Sequence, residues 1–212
     1  MCLVYFENGA GVGAASVDHC MTRVKDAYGQ WVEIVGRVSI SGIWREFFLP
    51  YVNLTPSEVA KRWGELPVAQ FNCLTCRTAM YVWAVAWCEK AGVTVVADGA
   101  RRSQGWPIMQ ESMLARFRDL FAAHSLELRL PVYDLDSDWS RKNLLLMRGF
   151  VPKTLEPQCL VGVPLPYDGA PPPDVQQAVE SYYDDVVLPR AREILRTQKE
   201  ALVDGRRERA EV

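Results

Sequence analysis

The sequence predicts an α/β protein: a parallel sheet with helices on both faces, closed by a carboxyl-terminal helix. Three observations predict it. Residues 2–6 and 93–97 are short apolar runs, the second broken only by Thr94, the signature of strands covered on both faces. A glycine-rich or polar loop follows each run, and a helical pattern follows each loop. Strands that alternate with helices in this way imply right-handed crossovers and a parallel sheet. Ligands of such sheets sit at the carboxyl ends of the strands.

The elements follow in order. Residues 2–6 read as the first strand and 14–27 as a helix at 3.6-residue spacing. Residues 30–41 are rich in β-branched side chains and read as one or two strands. Thr55-Pro-Ser-Glu58 is a helix start: Thr55 caps, Pro56 fits the first turn, and Glu58 closes the box. That helix ends near Gly64. Residues 76–90 read as an apolar helix stopped by Gly92. After the strand at 93–97 comes a polar loop at 98–105, a helix at 107–124, a strand at 126–132 and a short helix at 139–148 ending at Gly149. Residues 151–173 are proline-rich and irregular, and 174–202 read as an amphipathic helix that frays into a charged tail.

Composition narrows the function classes. The chain has 212 residues, 49% of them apolar and 24% charged, which gives a sizeable core and excludes wholesale disorder. A net charge of −2 excludes a strongly basic nucleic-acid module. The longest strongly apolar stretch, residues 80–87, falls far short of the roughly 20 residues that a bilayer needs, so no membrane partner is expected. The apolar start lacks a basic leader and a cleavage site, so it reads as a strand in a cytoplasmic protein. In that compartment six cysteines point to metal or redox chemistry before a disulfide scaffold.

Four clusters carry candidate chemistry. Gly9, Gly11 and Gly13 lie between a strand and a helix, where backbone N–H groups and a helix terminus can cradle a phosphate. The same glycines would also serve a plain tight turn; no Lys-Ser/Thr follows, so the loop is not a Walker A. Cys73 and Cys76 form a CxxC at a helix start, where thiol pKa values fall. The pair reads as a redox couple, half a metal site or two core cysteines, and a third sulfur decides. Cys159 is the candidate; Cys2, Cys20 and Cys88 lie in apolar elements and read as core. With two histidines in the chain a closed zinc site fits poorly, whereas three thiolates suit a [4Fe–4S] cluster with one open iron.

The loop Asp98-Gly-Ala-Arg-Arg-Ser-Gln104 leaves the end of a buried strand. One of its arginines can clamp phosphate; otherwise both pair with surface carboxylates. Asp134, Asp136 and Asp138, with Lys142 beyond them, could hold Mg²⁺ beside a nucleotide, but the run reads better as a helix cap with Asp138 at the cap position. Lys153 is an isolated candidate phosphate ligand. His19 and His124 are given no catalytic role.

Taken in order, these pieces resemble the PP-loop, or N-type ATP pyrophosphatase, superfamily, and within it the tRNA 2-thiolation branch. The loop after the first strand, the CxxC, the second loop and a third cysteine 83 residues beyond Cys76 carry the likeness, which covers residues 1–165. Ser103-Gln104 is also similar to the matching loop of the 4-thiouridine and sulfate-reductase relatives. The family's S-G-G-x-D-S reads G-A-G-V-G-A over residues 9–14, with Ser16 and Asp18 close behind.

The resemblance implies a fold of the adenine nucleotide α-hydrolase type over residues 1–165. Residues 166–212 form a proline-rich linker and an amphipathic helix. It further implies a sulfur-handling enzyme that adenylates a carbonyl oxygen of a nucleobase or small molecule with ATP, weakly with Mg²⁺. Sulfide on the cluster's open iron would then displace AMP. Cys73, Cys76 and Cys159 would hold the [4Fe–4S] cluster and carry the catalysis. Gly9, Gly11 and Gly13 would hold the pyrophosphate, and Asp98, Arg101, Ser103 and Gln104 would shape the nucleotide pocket. Two other classes stay open: a degenerate member that binds nucleotide or a partner without turnover, and a CxxC thiol redox enzyme like the sulfonucleotide reductases. RNA is neither required nor excluded as a substrate. Tyr182, Val186, Leu188, Ile194 and Leu195 on the last helix offer a face for a partner subunit or a second copy.

Overall fold

The computed structural model of the chain describes residues 1–12, 15–135, 137–150, 158–160, 167, 170–197 and 201. It is a mixed α/β structure. Strand β1 (Cys2–Glu7) leads through the two-residue β2 (Gly11–Val12) to helix α1 (Ala15–Tyr28) and strand β3 (Glu33–Ser39). Helices α2 (Ser41–Val52), α3 (Pro56–Trp63) and α4 (Val68–Ala91) follow, then β4 (Val95–Ala97), α5 (Glu111–Ala122) and β5 (Glu127–Arg129). Helix α6 (Asp138–Met147), β6 (Gln158–Cys159), α7 (Pro173–Tyr182), a π-turn at Tyr183–Val187 and α8 (Leu188–Thr197) complete the described chain.

The parallel pairing expected from the apolar runs is present: β1 pairs with β3, and β4 with β5. The described strands do not join into one continuous sheet, however. They form three two-stranded ladders, the third being the antiparallel β2–β6 pair. Every strand of a two-stranded ladder is an edge, so β1 and β4 are only partly covered where the apolar runs implied full burial. The β1–β3 ladder also carries a bulge. Its register skips Val35, and Gly36 takes φ +95°, a backbone conformation that glycine alone adopts without strain.

Helix α4 organises the core. It runs 24 residues and is buried on several sides, as a helix without a polar stripe must be. It starts at Val68, eight residues before the expected start, with Pro67 at the cap, and ends as expected on the left-handed Gly92 at φ +67°. Phe71 stacks on Tyr51 at 3.9 Å and meets Tyr182 edge-on at 5.0 Å. Tyr81 packs against Phe117 and Phe121. Among the described residues no helix is long and apolar enough to cross a membrane.

The other elements hold to their local chemistry. The Thr55–Glu58 capping box forms: the Glu58 amide donates to Thr55 Oγ1 at 3.3 Å, and the Thr55 amide donates to Glu58 Oε2 at 2.8 Å. Residues 30–41 give one strand, and Ser41 opens helix α2, which carries Pro50 in its last turn. The helix expected at 107–124 divides into a 3₁₀ turn at Pro107–Met109 and α5. Ser137, and not Asp138, caps α6: its hydroxyl accepts from the Ser140 amide at 3.2 Å.

The expected partner face of the last helix is used by the chain itself. Tyr182, Ile194 and Leu195 are buried in the core, and Val186 and Leu188 pack against it. Tyr182 also donates its hydroxyl proton to the Phe47 carbonyl at 3.0 Å. The apolar stripe that suggested a docked partner is therefore the stripe that closes the fold over α4. Cys2 and Cys20, expected in the core, are exposed: Cys2 opens an edge strand and Cys20 lies on the open face of α1, while Cys88 is buried.

Candidate functional site

Three chain segments meet around Cys73, Cys76 and Cys159. The first is the loop after β1. Asn8 closes it as an Asx turn, with its Oδ1 accepting from the Ala10 amide at 2.8 Å. That turn lets Gly9 take φ +86°. Its backbone then runs out as β2 against β6, pairing Gly11 with Cys159 and Val12 with Gln158. The Leu160 amide donates to the Ala10 carbonyl at 2.7 Å and extends the contact. Glycine-rich loop and third cysteine, far apart in sequence, are thus bonded through their backbones. Gly13 lies outside the described residues.

The second segment is α4. Cys73 and Cys76 are three residues apart on one helical face. The Asn8 amide donates from Nδ2 to Cys76 Sγ at 3.3 Å. The Asn72 amide donates from Nδ2 to Cys159 Sγ at 3.4 Å. These two bonds tie the loop after β1 to the CxxC helix, and that helix to the third cysteine on β6. Cys73, Cys76 and Cys159 are thiols, not disulfides, and each is half-buried.

The expected lowering of the CxxC pKa values is reversed. Burial pushes the Cys73 thiol up to about 12, and the neighbouring Cys76 and Cys159 push it the same way against the pull of Arg77. Burial likewise pushes Cys76 up to about 11, against the Asn8 hydrogen bond. The reason is the early start of α4. Cys73 is its sixth residue and Cys76 its ninth, beyond the first turn where the helix dipole favours a thiolate. Cys159 enters the balance at both Cys73 and Cys76, so each of the three sulfurs lies within electrostatic reach of the others.

The third segment is the loop after β4. Asp98 was expected to face a nucleotide, but its carboxylate is committed inside the protein. Arg77 Nη1 lies 2.5 Å from both Asp98 oxygens. The Tyr81 hydroxyl donates to Oδ2 at 3.1 Å and the Ala100 amide to Oδ1 at 2.7 Å. Both side chains of the ion pair are less than a fifth exposed. Burial opposes the Arg77 charge, but Tyr81 and Asp98 outweigh it and hold the guanidinium protonated beside Cys76. Asp98 therefore anchors the loop and neutralises a buried arginine.

The rest of that loop forms a 3₁₀ turn at Arg102–Gln104, with Arg101 at its cap; the Gln104 amide donates to the Arg101 carbonyl at 3.3 Å. Arg102 lies over the Tyr133 ring at 5.0 Å and pairs with the exposed Asp134 at 2.6 Å, the surface pairing that was one of the two readings of these arginines. With Ser103, Tyr133, Asp134 and Leu135 it lines an open groove of about 360 Å³ that includes none of the three cysteines. Arg101, Ser103 and Gln104 thus stand at the carboxyl end of β4. Asp136, the Asp138 side chain and Lys153 lie outside the described residues. His19 sits on an exposed face of α1, and His124 Nδ1 lies 2.9 Å from Glu89 Oε1 just past α5.

Asn8, Asn72 and Arg77 were not singled out from the sequence, yet they make the contacts that assemble the site. The available signal was adjacency: Asn8 precedes Gly9, and Asn72 and Arg77 flank the CxxC.

Among the described residues no group of three or more His, Cys, Asp or Glu side chains is placed to hold a metal ion. A cubane cluster makes a different demand. Its irons sit at separate corners, so each thiolate takes its own iron. Thiol sulfurs are the donors such a cluster takes, and the Asn8–Cys76 and Asn72–Cys159 hydrogen bonds hold two of the three, so the residues fit that group in kind. No protein-family model matches the chain, and no curated protein or solved structure matches it.

Proposed function

We propose that the chain is a sulfur-handling enzyme of the PP-loop type, with a three-thiolate [4Fe–4S] site, acting with ATP on a carbonyl of a nucleobase or small molecule. One observation carries the reading: the β2–β6 pairing and the two asparagine–sulfur hydrogen bonds join Cys159 and Cys76, with Cys73 on the same helix as Cys76, to the glycine loop that follows the first strand. The fold reading that goes with it is the adenine nucleotide α-hydrolase type.

In this reading Cys73, Cys76 and Cys159 hold the cluster, which when bound supplies an open iron for a sulfur ligand. The backbone amides of Gly9 and Gly11 receive the pyrophosphate of ATP with Mg²⁺, while the Ala10 amide stays on Asn8. Arg101, Ser103 and Gln104 face the nucleotide. The substrate's carbonyl oxygen attacks the α-phosphorus, and pyrophosphate leaves. Hydrosulfide from an external sulfide donor then attacks the activated carbon, loses its proton, and AMP departs with the oxygen. No net oxidation occurs, so no reductant is needed. Arg77, held charged by Asp98, stands beside the thiolates and offsets part of their negative charge.

The raised thiols of Cys73 and Cys76 weigh against the CxxC redox alternative, because the thiolate is the reactive form. Deprotonation of such buried thiols is what metal ligation accomplishes. Binding without turnover is the stronger second reading. Residues 9–14 hold neither the hydroxyls nor the carboxylate of the family's loop. Pyrophosphate release from ATP by the reconstituted protein, in the presence of sulfide and a panel of nucleobases, separates the two. Release that depends on the base supports turnover, and ATP binding by calorimetry without release supports the second reading.

A further inference from the structure

We infer that Asn8 and Asn72 are electronic clamps on the sulfur site: each aims an amide N–H at one ligand sulfur and so sets the reduction potential of the cluster. This rests on the three-thiolate reading above. The two donors come from different elements, the loop after β1 and helix α4, and reach different sulfurs. Asn8 Nδ2 meets Cys76 at 3.3 Å and Asn72 Nδ2 meets Cys159 at 3.4 Å.

The placement of Asn72 is costly for a merely structural residue. Its side chain is 2% exposed, and its Oδ1 has no hydrogen-bond partner among the described residues. A buried amide carbonyl without a partner is unfavourable. An apolar side chain of the same shape would pack there without that cost. What the amide gains is one N–H directed at a sulfur. Asn8 is arranged in the same sense: its oxygen is occupied by the Ala10 amide, which turns its nitrogen onto Cys76.

The direction of the effect follows from the dipole. An N–H aimed at a ligand sulfur stabilises negative charge there, and the reduced cluster carries one more negative charge than the oxidised one. Both clamps therefore favour the reduced state and raise the potential. Cys73 receives no side-chain amide of this kind among the hydrogen bonds of the described residues, so tuning acts on two of the three sulfurs.

The test is a dye-mediated redox titration, followed by electron paramagnetic resonance, of the full chain reconstituted anaerobically with iron and sulfide. Wild type is compared with Asn72→Leu and Asn8→Ser. The second variant keeps a neutral side-chain oxygen that can serve the Ala10 amide and loses the amide donor without adding a charge, so it guards against misfolding of the first. Each variant should move to a more negative midpoint. At fixed ambient potential the reduced-to-oxidised ratio should fall about tenfold, equal to about 59 mV for one electron. Iron content should be retained. Wild-type midpoints in both variants, with the cluster present, would overturn this inference and leave the cluster reading standing. Failure of the wild type to assemble any cluster would overturn that reading, and this inference with it.

Discussion

Arg77 and Asp98 form a buried ion pair that joins the helix of the CxxC to the loop at the carboxyl end of β4, with Nη1 2.5 Å from both carboxylate oxygens. The arginine directly follows Cys76, so the pair fixes the charge environment of the thiols and the path of the second loop together. Asp98→Ala would strand the guanidinium in a buried site. We expect a loss of about 3–5 kcal/mol in urea unfolding. Arg77→Leu combined with Asp98→Ala should recover much of that loss, because the unpaired charge goes too. Equal destabilisation by the single and double variants would show that the pair is not coupled.

The thiols give a pH dependence with a definite sign. Burial holds the proton on Cys73 up to about 12 and on Cys76 up to about 11, above the ordinary 9.0 of the unfolded chain. Between those values the folded chain binds more protons than the unfolded one. Stability of the reduced, metal-free protein is therefore fully present below about pH 9 and falls as pH rises toward about 12. Cys73→Ala should flatten that decline in a urea series across this range. At neutral pH the same protein, treated with iodoacetamide and followed by mass spectrometry, should be alkylated first at the exposed Cys2 and Cys20. Alkylation that begins at Cys76 would contradict the burial argument.

The face of α7 and α8 that packs on α4 is core, which separates two expectations. Ile194→Ala should cost about 2–5 kcal/mol in unfolding and leave the oligomeric state in light scattering unchanged. Tyr182→Phe, which removes only the bond to the Phe47 carbonyl, should cost about 1 kcal/mol. A change of oligomeric state with little loss of stability would restore the partner face.

Much of this was legible in the chain, and the exceptions have physical causes. The capping box at Thr55 and the left-handed stop at Gly92 act over three or four residues, so local sequence states them fully. Helix α2 was hidden because Ile40 at its cap position offers no side-chain bond and the helix carries Pro50. The start of α4 was hidden for the same reason, since Pro67 caps it without a side-chain bond, and with that start went the sign of the thiol shifts. The β2–β6 ladder is two residues long on each side. No periodicity can announce such a pair, yet it is what delivers Cys159 to the loop. Asp98 was legible as a functional position but not in its role, because its partner Arg77 is a helix residue whose direction only packing decides.

The most direct measurement is iron and acid-labile sulfide analysis of the full chain purified and reconstituted without oxygen, beside Cys159→Ser. Convergence of the three sulfurs predicts about four irons and four sulfides per wild-type chain, and loss of most of both from the variant. Zinc bound one-to-one in place of iron, or a cluster that survives unchanged in Cys159→Ser, would contradict it.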